Sequence, residues 1–537
     1  MTCLLIFYSL EIERKVVYMK KIIKYNLILF LMIFIVGLVS CNKEYTITCL
    51  NEDGSVYTTV NVNHKQGFTK PVDPIKEGYT FIGWFNGDEK WNYNNYEVTE
   101  DMTVVAKFEI NKYTITFETG GGSVIPSITK EYNDLIETPS NPVREGYEFV
   151  GWDKEIPNTI PAQDLTITAI WKKDNIKIVA ISPLSSYLSM YGQAVKNGIE
   201  LAVEEINAAG GVNINGEMVK LEINHYIDDK GDLVTASNML ANIISQNEPI
   251  DFILGPVTSS TTELFITNTS KYGIPTITPT GTADKLTVGD NCDERDVRYN
   301  LFRACFNDSY QGEYMAKYAA KAGNRKAYVL YNNDDDYSKG LKDAFVETAK
   351  SLNIEVVTAF YDNNNRDFNT LWGPIIEGGY DCVYVPDYYE NAYNILKTGY
   401  EKGYTGVCYG SDGWDGLITQ VGPNDDISFL ENCFYTNHFF SKSENETVKL
   451  FVEKYLNKYS SIPSSFAALG YDAVYIAKQA IESAGSVEYD KVIESLNTGT
   501  FSGLVTSSSP FTYSNGNPQK EAFIVTFKDG KEVEAVN

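Results

Sequence analysis

Apolar and polar positions divide the chain into two patterns, and the longer pattern begins at Ile176. From there short apolar runs, such as KIVAIS at 177–182, alternate with segments in which apolar side chains recur at helical spacing. In the first such segment Val195, Ile199 and Ile206 share one face, and Gly210 follows as a helix end. This order predicts α/β architecture, with a parallel sheet wound by right-handed crossovers.

The strand-like runs after Ile176 form two groups, which predicts two doubly wound lobes. The first group comprises KIVAIS, VKLEINHYI at 219–227, DFIL at 251–254 and IPTITPT at 274–280. The second group comprises KAYVLYNN at 326–333, IEVVTAFY at 354–361, YDCVYVPD at 380–387 and TGVCYGSD at 405–412.

The shorter pattern precedes residue 174 and repeats itself with an offset of 68 residues. EYTIT at 44–48 returns as KYTIT at 112–116, and EGYTFIGW at 77–84 returns as EGYEFVGW at 145–152. The alternation of apolar and polar residues predicts half-buried strands. Gly78 and Gly146 suit turns, and Trp84 and Trp152 are expected to close two small β-rich cores.

These patterns predict four segments and a hinge between the two lobes. The segments are a leader at 1–40, repeat modules at 44–110 and 111–173, and a two-lobed domain at 174–537. We place lobe 1 at about 174–302 and 434–510 and lobe 2 at about 303–433 and 511–537, with crossings near Arg303, Cys433 and Pro510.

The length and composition of the chain indicate several folded domains, and its net charge argues against some classes of binding partner. The chain has 537 residues, of which 43% are hydrophobic, so it can fill more than one core. Its net charge of -26 argues against nucleic acid or anionic lipid headgroups as the main partner, because both would be repelled.

The amino-terminal segment has the pattern of an export signal. From Met19, the expected true start, a basic head of three lysines precedes the apolar stretch Leu27 to Val39, which is short for a membrane span. The following residues, LVSC at 38–41, resemble a bacterial lipobox, which implies that Cys41 carries a lipid. An uncleaved anchor helix is the alternative, and it would also place the chain outside the cytoplasm.

The cysteines and histidines predict neither a metal site nor a disulfide scaffold. No CxxC spacing occurs, and the three histidines, His64, His225 and His438, match no ligand motif and are expected to be structural. Cys292 and Cys305 could close a loop, but two buried thiols are an equal alternative. No cofactor is predicted.

Two hydroxyl-rich loops follow neighbouring predicted strands of lobe 1. They are GPVTSSTT at 255–262 and TPTGTAD at 278–284. Ligands of open α/β sheets lie beyond the carboxyl ends of the strands, and hydroxyls beside a helix amino terminus suit a small anion. Ordinary helix capping is the alternative for either loop alone. Together the loops predict an anion-binding site.

Both patterns resemble known families. The EGYxFxGW signature at 44–173 is similar to the Listeria-Bacteroides repeat, a small β-grasp-like module of bacterial surface proteins, which leaves a spacer or an adhesive role open. From Ile176 onward the layout resembles the branched-chain amino-acid-binding family of type I periplasmic binding proteins. The motifs are SPLSSYLSMYGQAVKNGIELAVEEINAAGGV at 182–212, GPVTSSTT, IPTITPTGTADKLT at 274–287, YNNDDDYSKGL at 331–341 and YGSDGWDG at 409–416.

The second resemblance implies specific site residues. Ser259 and Thr282, with Gly281 beside them, match positions that hold the ligand's α-carboxylate, and Asp412 matches an acidic position facing the α-ammonium group. The remaining matches are aromatic residues expected to line or close the pocket: Tyr191, Tyr337, Tyr389 and Phe466, with Trp414 as an extra aromatic nearby.

Some of these positions have structural alternatives. Tyr337 could simply pack its helix, Tyr389 is hard to tell from Tyr388, and Trp414 could belong to the core. The run Asp334 to Asp336 lacks the oxygen spacing of an EF-hand, so we expect a solvated loop there rather than a calcium site.

We therefore expect a lipid-anchored solute-binding protein outside the cytoplasm that captures a small amino acid for the permease and ATPase subunits of an ABC importer. An enzyme is disfavoured because Ser259 has no histidine base visible in the sequence. A ligand-sensing receptor domain and an adhesin that uses the repeats are the alternatives. A sensor usually continues into a membrane helix, whereas this chain ends at Asn537.

Overall fold

The structure is a computed structural model, and it describes residues 19–20, 43–64, 69–93, 97–288, 298–363, 367–422 and 425–535. The predicted lipidation site Cys41, the predicted leader apart from Met19 and Lys20, and Cys292 lie outside the described residues. The contacts divide the chain into two compact units. One comprises Met1–Arg144 with Phe149–Trp171, and the other comprises Glu145–Glu148 with Lys172–Asn537.

The repeat region forms two small sheets, one for each predicted module. In the first, strands β1 (Glu44–Leu50), β2 (Val56–Asn63), β3 (Tyr79–Asn86), β4 (Glu89–Lys90) and β5 (Met102–Ile110) lie in the order β2-β1-β5-β3-β4. In the second, β6 (Lys112–Glu118), β7 (Ile128–Glu131), β8 (Tyr147–Trp152) and β9 (Leu165–Lys173) lie in the order β7-β6-β9-β8.

The predicted tryptophans contribute to both of these small cores. Trp84 is buried with Ile47 and Val104, and Trp152 is half-buried against Phe117. Gly78 and Gly146 both have positive φ angles, 77° and 73°, at the turns that precede β3 and β8. These observations confirm the predicted β-rich modules.

Lobe 1 of the second unit contains a six-stranded, mostly parallel sheet. Its strands are β10 (Asn175–Ser182), β11 (Val212–Ile214), β12 (Glu217–Asp228), β13 (Phe252–Leu254), β14 (Thr276–Thr278) and β15 (Leu301–Arg303), in the order β11-β12-β10-β13-β14-β15. The intervening helices are α1 (Ser189–Ala208), α2 (Thr235–Ser245), α3 (Ser259–Thr269) and α4 (Lys285–Val288). The predicted apolar face of α1 is buried, as Val195, Ile199 and Ile206 show.

Lobe 2 contains a seven-stranded sheet with the same winding. Its helices are α5 (Asp308–Lys321), α6 (Asp336–Ser351), α7 (Trp372–Gly378) and α8 (Tyr389–Glu401). Its parallel strands are β16 (Lys326–Asn332), β17 (Glu355–Tyr361), β18 (Cys382–Tyr384), β19 (Val407–Gly410) and β20 (Cys433–Asn437). Two late antiparallel strands, β24 (Phe523–Lys528) and β25 (Lys531–Glu534), complete the order β17-β16-β18-β19-β20-β24-β25.

The segment between β20 and β24 belongs mainly to lobe 1. Helices α9 (Glu446–Tyr459) and α10 (Ser465–Ala484) pack against α1, and α11 (Tyr489–Thr498) packs against α10. Strands β21 (Thr500–Phe501), β22 (Phe511–Ser514) and β23 (Asn517–Pro518) form a small separate sheet beside α11 and β15.

The predicted fold class is confirmed, but two crossings between the lobes lie later in the chain than expected. The strand that begins at Cys433 pairs with β19, so the chain leaves lobe 2 only after Asn437. The strand after Pro510 pairs with β21 rather than with the second sheet, so the last crossing follows Pro518. In both cases strand pairing decides the boundary, and sequence pattern does not reveal it.

The start of the second unit is held by a buried ion pair. Lys173 Nζ lies 3.0 Å from Asp251 Oδ2, and both side chains are less than 10% exposed. Asp251 also accepts a hydrogen bond from the Lys177 backbone N–H at 2.7 Å. Lys173 therefore belongs structurally with the lobes, one residue before the predicted boundary at 174.

Within the part of the chain that the structure describes, no helix combines the length and the apolar character needed to cross a bilayer.

Candidate functional site

A small cavity lies between the two lobes at the carboxyl ends of their strands. Its volume is only about 10 Å³, which is room for about one water molecule. Lobe 1 contributes Tyr191, Val257, Thr258, Ser259, Thr280 and Phe466, and lobe 2 contributes Tyr337, Tyr388, Asp412 and Gly413. The lobes are thus closed on each other, and their own side chains fill most of the space.

The first hydroxyl loop begins with a glycine that the sheet requires. Gly255 has φ 116°, and a Cβ there would lie 2.2 Å from the Ile181 carbonyl oxygen of the neighbouring strand. The loop then enters α3 at Ser259. Thr258, the N-cap residue, makes no side-chain capping hydrogen bond, so capping does not account for these hydroxyls.

Ser259 connects the two hydroxyl loops. Its Oγ accepts hydrogen bonds from the backbone N–H groups of Thr282 and Ala283, each at 3.2 Å. A hydroxyl has two acceptor positions and one donor, so the Ser259 O–H proton is left for a further acceptor. The predicted convergence of the loops is therefore present, and Ser259 lies at the cavity wall.

Gly281 and Thr282 lie behind the wall rather than on it, and Thr280 takes their expected place. Their carbonyl oxygens accept hydrogen bonds from Arg303 Nη1 at 3.2 and 2.6 Å, and Arg303 Nη2 donates to the Ala283 carbonyl at 3.0 Å. Arg303 is fully buried. Its guanidinium fixes the loop and adds positive charge behind it, which favours an anion in front.

Asp412 faces the cavity from lobe 2, in a single turn of 3₁₀-helix directly after β19. Its Oδ1 accepts a hydrogen bond from the Tyr337 hydroxyl at 2.7 Å. That hydroxyl also accepts the Gly413 N–H at 2.8 Å. Burial, followed by the Asp412 charge, holds the pKa of Tyr337 well above its usual range, so the hydroxyl remains a donor. Tyr337 thus lines the cavity and hydrogen-bonds to Asp412, in addition to packing its helix.

Stacked aromatic rings form the remaining walls. The rings of Tyr191 and Phe466 stack with centroids 3.9 Å apart, and those of Tyr337 and Tyr388 stack at 4.9 Å. The Tyr191 hydroxyl donates to the Gly413 carbonyl and accepts the Tyr389 N–H at 3.1 Å. Tyr191 therefore lines the cavity and also joins lobe 1 to lobe 2.

Two predicted aromatic residues do not line the cavity. Tyr388 occupies the wall, whereas Tyr389 packs edge-on against Tyr191, and its hydroxyl donates to the Tyr187 carbonyl at 2.6 Å. Trp414 is fully buried and donates from Nε1 to the Val385 carbonyl at 3.0 Å. Trp414 therefore belongs to the core, as the alternative interpretation of the sequence allowed.

The acidic run after β16 serves helix capping and interlobe contact. Asp335 accepts the Ser338 N–H at 3.1 Å as the N-cap of α6, and it accepts the Ser260 hydroxyl of lobe 1 at 3.0 Å. Burial raises the pKa of Asp335 to about 7. Asp336 pairs with Lys285 of lobe 1 at 3.0 Å. Asp335 and Asp336 are half-buried, so the expected solvated loop is present only in part, because both carboxylates also contact lobe 1.

Three further residues have environments that the sequence did not indicate or left open. His438, expected to be structural, lies with Nε2 3.1 Å from Asp412 Oδ2. The sequence analysis placed Arg303 only at a crossing between the lobes. Its position within the apolar run LFRACF could have indicated that its side chain is buried. Cys305 is a buried thiol, and burial raises its pKa to about 12.

With this geometry in place, comparison with known proteins gives the family. The sequence profile described as periplasmic binding protein matches residues 175–532 of this chain. The chain belongs to this family. A Leu/Ile/Val-binding protein of Rhizobium johnstonii is 31% identical over 319 residues, which cover 58% of this chain and 81% of that protein.

Solved structures agree with this assignment. A leucine-binding protein of Thermotoga maritima is 27% identical with a TM-score of 0.60, and the match covers 67% of this chain and 98% of that chain. A branched-chain amino acid transporter substrate-binding protein of Streptococcus pneumoniae, solved in complex with isoleucine, is 29% identical with a TM-score of 0.58, covering 67% and 100%. The predicted branched-chain amino-acid-binding family is confirmed. Its members are extracytoplasmic solute-binding proteins and not enzymes.

The repeat prediction is confirmed as well. The profile of the Listeria-Bacteroides repeat domain matches residues 45–107 and 113–180. Internalin H of Listeria monocytogenes is 35% identical over 131 residues, 22% of this chain and 24% of that protein. A putative membrane protein of Evansella cellulosilytica is 33% identical over 145 residues, 25% of this chain and 22% of that protein. The chain thus spans about a quarter of these relatives' length.

Tyr191→Phe is expected to weaken closure of the family's two-lobed domain. The change keeps the ring stack but removes two interlobe hydrogen bonds, each worth about 0.5 to 1.5 kcal/mol, so the closed-to-open ratio should fall about fivefold to a hundredfold. The measurement is the distance distribution between spin labels at Met239→Cys and Asp343→Cys, one on each lobe, without ligand. Tyr393→Phe is the control, because its hydroxyl donates to Asp425 within lobe 2. Equal distributions for the two variants would contradict the role given to Tyr191.

Proposed function

We propose that the protein is a lipid-anchored receptor that captures a small apolar amino acid between its lobes and delivers it to an ABC importer. The observation that carries this proposal is the placement of a hydrogen-bond donor and a carboxylate on opposite sides of one cavity. The donor on lobe 1 is the Ser259 hydroxyl, because the Thr280 hydroxyl already donates to the Val257 carbonyl at 2.6 Å, and Asp412 stands on lobe 2.

This arrangement matches both charged ends of an amino acid. The ligand carboxylate would lie against the Ser259 hydroxyl, in front of the loop that Arg303 fixes. The ligand ammonium would face Asp412. A charge enclosed in a dry cavity is tolerated only when it is paired or fully hydrogen-bonded. A ligand with both charges therefore satisfies the two lobes together, whereas a ligand with one charge leaves the other lobe unsatisfied.

The aromatic walls account for the apolar part of the ligand. Tyr191, Phe466 and Tyr388 line the cavity, and aromatic walls favour an apolar side chain. Because the closed cavity has room for about one water molecule, the ligand enters an open form and the rings then repack around it. Branched-chain amino acids fit this description, and the Streptococcus pneumoniae relative was solved with isoleucine.

The anchor and the importer follow from the amino-terminal sequence and the family. LVSC at 38–41 supplies a cysteine for lipid attachment, and the family serves ABC transporters. The two repeat modules would then act as a spacer between the lipid and the binding domain. The permease and ATPase subunits would recognise the closed, ligand-bound shape.

Asp412→Ala is expected to weaken ligand binding more than Ser259→Ala. The first change leaves the ammonium unpaired in a dry site, at a cost of about 2 to 5 kcal/mol, or roughly 30-fold or more in affinity. The second removes one hydrogen bond to a charge, at about 1.5 to 3 kcal/mol. Calorimetric titration with leucine, isoleucine and valine measures both effects. Asp343→Ala, an exposed carboxylate on α6, is the control and should bind normally. Normal leucine binding by the Asp412 variant would refute the ammonium role.

Cys41→Ala is expected to abolish lipid attachment, because only a thiol at that position can carry the lipid. Labelling cells with a radioactive or clickable fatty acid, followed by membrane fractionation, measures the effect. Cys3→Ala is a matched control that should label normally, since Cys3 precedes the expected start at Met19. Undiminished labelling of the Cys41 variant would reject the anchor.

A further inference from the structure

His438 and Asp412 come from neighbouring strands of the lobe 2 sheet. Strand β19 pairs in parallel with β20, and Asp412 and His438 follow the ends of these two strands. Both side chains are almost completely buried, at 1% and 3% exposure. The His438 backbone is fixed as well, because its N–H donates to Asn437 Oδ1 at 2.8 Å. The pairing of sheet strands therefore determines the contact between the two side chains.

The two oxygens of Asp412 have different partners. Oδ1 accepts the Tyr337 hydroxyl at 2.7 Å, and Oδ2 lies 3.1 Å from His438 Nε2. A carboxylate with a donor on each oxygen has little rotational freedom, so the direction in which its charge points is set before the ligand arrives. Pre-organisation of this kind lowers the entropic cost of binding.

The chemistry of the pair defines the state of the imidazole. An ionised carboxylate can only accept hydrogen bonds, so Nε2 must carry the proton and Nδ1 must be bare in the neutral ring. His438 Nδ1 is buried and has no hydrogen-bond partner, and the ring lies on Phe306 with centroids 3.6 Å apart. Protonating Nδ1 would create a buried N–H without an acceptor, which is costly.

We propose that His438 is a positioning residue that orients Asp412 toward the ligand ammonium and makes ligand binding weaken as the solution becomes acidic. The proposal rests on the proposed function, because it assumes that Asp412 receives the ammonium. An imidazolium at His438 and a ligand ammonium would compete for one carboxylate charge. Ligand binding and proton uptake by His438 therefore oppose each other.

The sign of the pH dependence follows from the surroundings of His438. Burial lowers the pKa of His438 below its ordinary value of 6.5, and the Asp412 carboxylate opposes this shift. The other charged groups that act on the ring are Lys520, which lowers the pKa, and Asp415, which raises it. The neutral form therefore prevails above pH 6.5, and affinity should fall as the pH drops through the lowered pKa.

The test is calorimetric titration of the full chain with L-leucine at pH 8 and pH 5. Two variants distinguish the role of His438 as a hydrogen-bond donor from its role as a titratable group. His438→Gln can place an amide N–H near Asp412 but cannot be protonated in this range, and His438→Leu removes the donor. The control is His225→Gln, because His225 pairs with Glu248 at 2.6 Å in a pocket apart from the ligand cavity.

At pH 8 the Gln variant should bind leucine within about threefold of the wild type, whereas the Leu variant should bind about tenfold more weakly or worse. From pH 8 to pH 5 the wild type and the His225 variant should lose more affinity than the Gln variant, because only the first two proteins keep a titratable group beside Asp412. Other buried acids, such as Asp335, are common to all four proteins, so the difference isolates His438.

Two results would overturn the role of His438 while leaving the proposed function intact. One is normal leucine binding by a folded Leu variant at pH 8, and the other is an identical pH dependence for the wild type and the Gln variant. Absence of leucine binding by the wild type at pH 8 would instead overturn the proposed function, together with this role. Nitrogen-15 spectra of the three histidines add a check that does not need ligand, since His438 should show the Nε2–H tautomer.

Discussion

A carboxylate enclosed between two lobes must be hydrogen-bonded or paired, and the architecture around Asp412 follows from this constraint. Tyr337 from α6 and His438 after β20 each supply a donor, so two other chain segments converge on the Asp412 side chain. The cavity wall from lobe 1 suits a group of the opposite charge to the group that suits Asp412. Ser259 presents a donor in front of the loop that Arg303 fixes, and none of the described lobe 1 residues that line the cavity is acidic. A ligand with both charges is the natural complement of this asymmetry.

Closure and recognition use the same residues. Tyr191 stacks on Phe466, lines the cavity and bonds across to Gly413 and Tyr389. Ser260 of the first hydroxyl loop also reaches Asp335 at the start of α6. Since the loop that we propose meets the ligand also meets the other lobe, we expect ligand binding and lobe closure to be coupled through shared contacts. A cavity of about 10 Å³ further implies that the side chains rearrange when a ligand replaces them.

The sequence predicted the elements well because their periodicities are strong and their loops distinctive. Apolar runs gave the strands, and the two hydroxyl loops were placed together because the carboxyl ends of parallel strands share one edge. The sequence could not decide whether Tyr388 or Tyr389 lines the cavity. Tyr388 is the extended N-cap residue of α8 and faces the cavity, while Tyr389 begins the helix and turns away. The sequence also could not decide whether Trp414 lines the cavity or belongs to the core, because successive residues of a tight turn point in different directions.

The contacts that the sequence missed depend on strand order. His438 stands 26 residues from Asp412, and only the pairing of β19 with β20 brings the two together. The late crossings at Asn437 and Pro518 have the same origin, since pairing partners decide to which lobe a strand belongs. Arg303 was identifiable as an unusual charge in an apolar run, but its role required the three carbonyl oxygens that converge on it.

The central claim is that the cavity recognises both charged ends of an amino acid at once. Calorimetric titration of the wild type with three compounds of one carbon skeleton tests it most directly: leucine, 4-methylpentanoate, which lacks the ammonium group, and 3-methylbutylamine, which lacks the carboxylate. The account predicts that leucine binds roughly 30-fold or more tightly than either single-ended compound, because each analogue leaves one lobe unsatisfied. Binding of 4-methylpentanoate or 3-methylbutylamine as tight as that of leucine would contradict it.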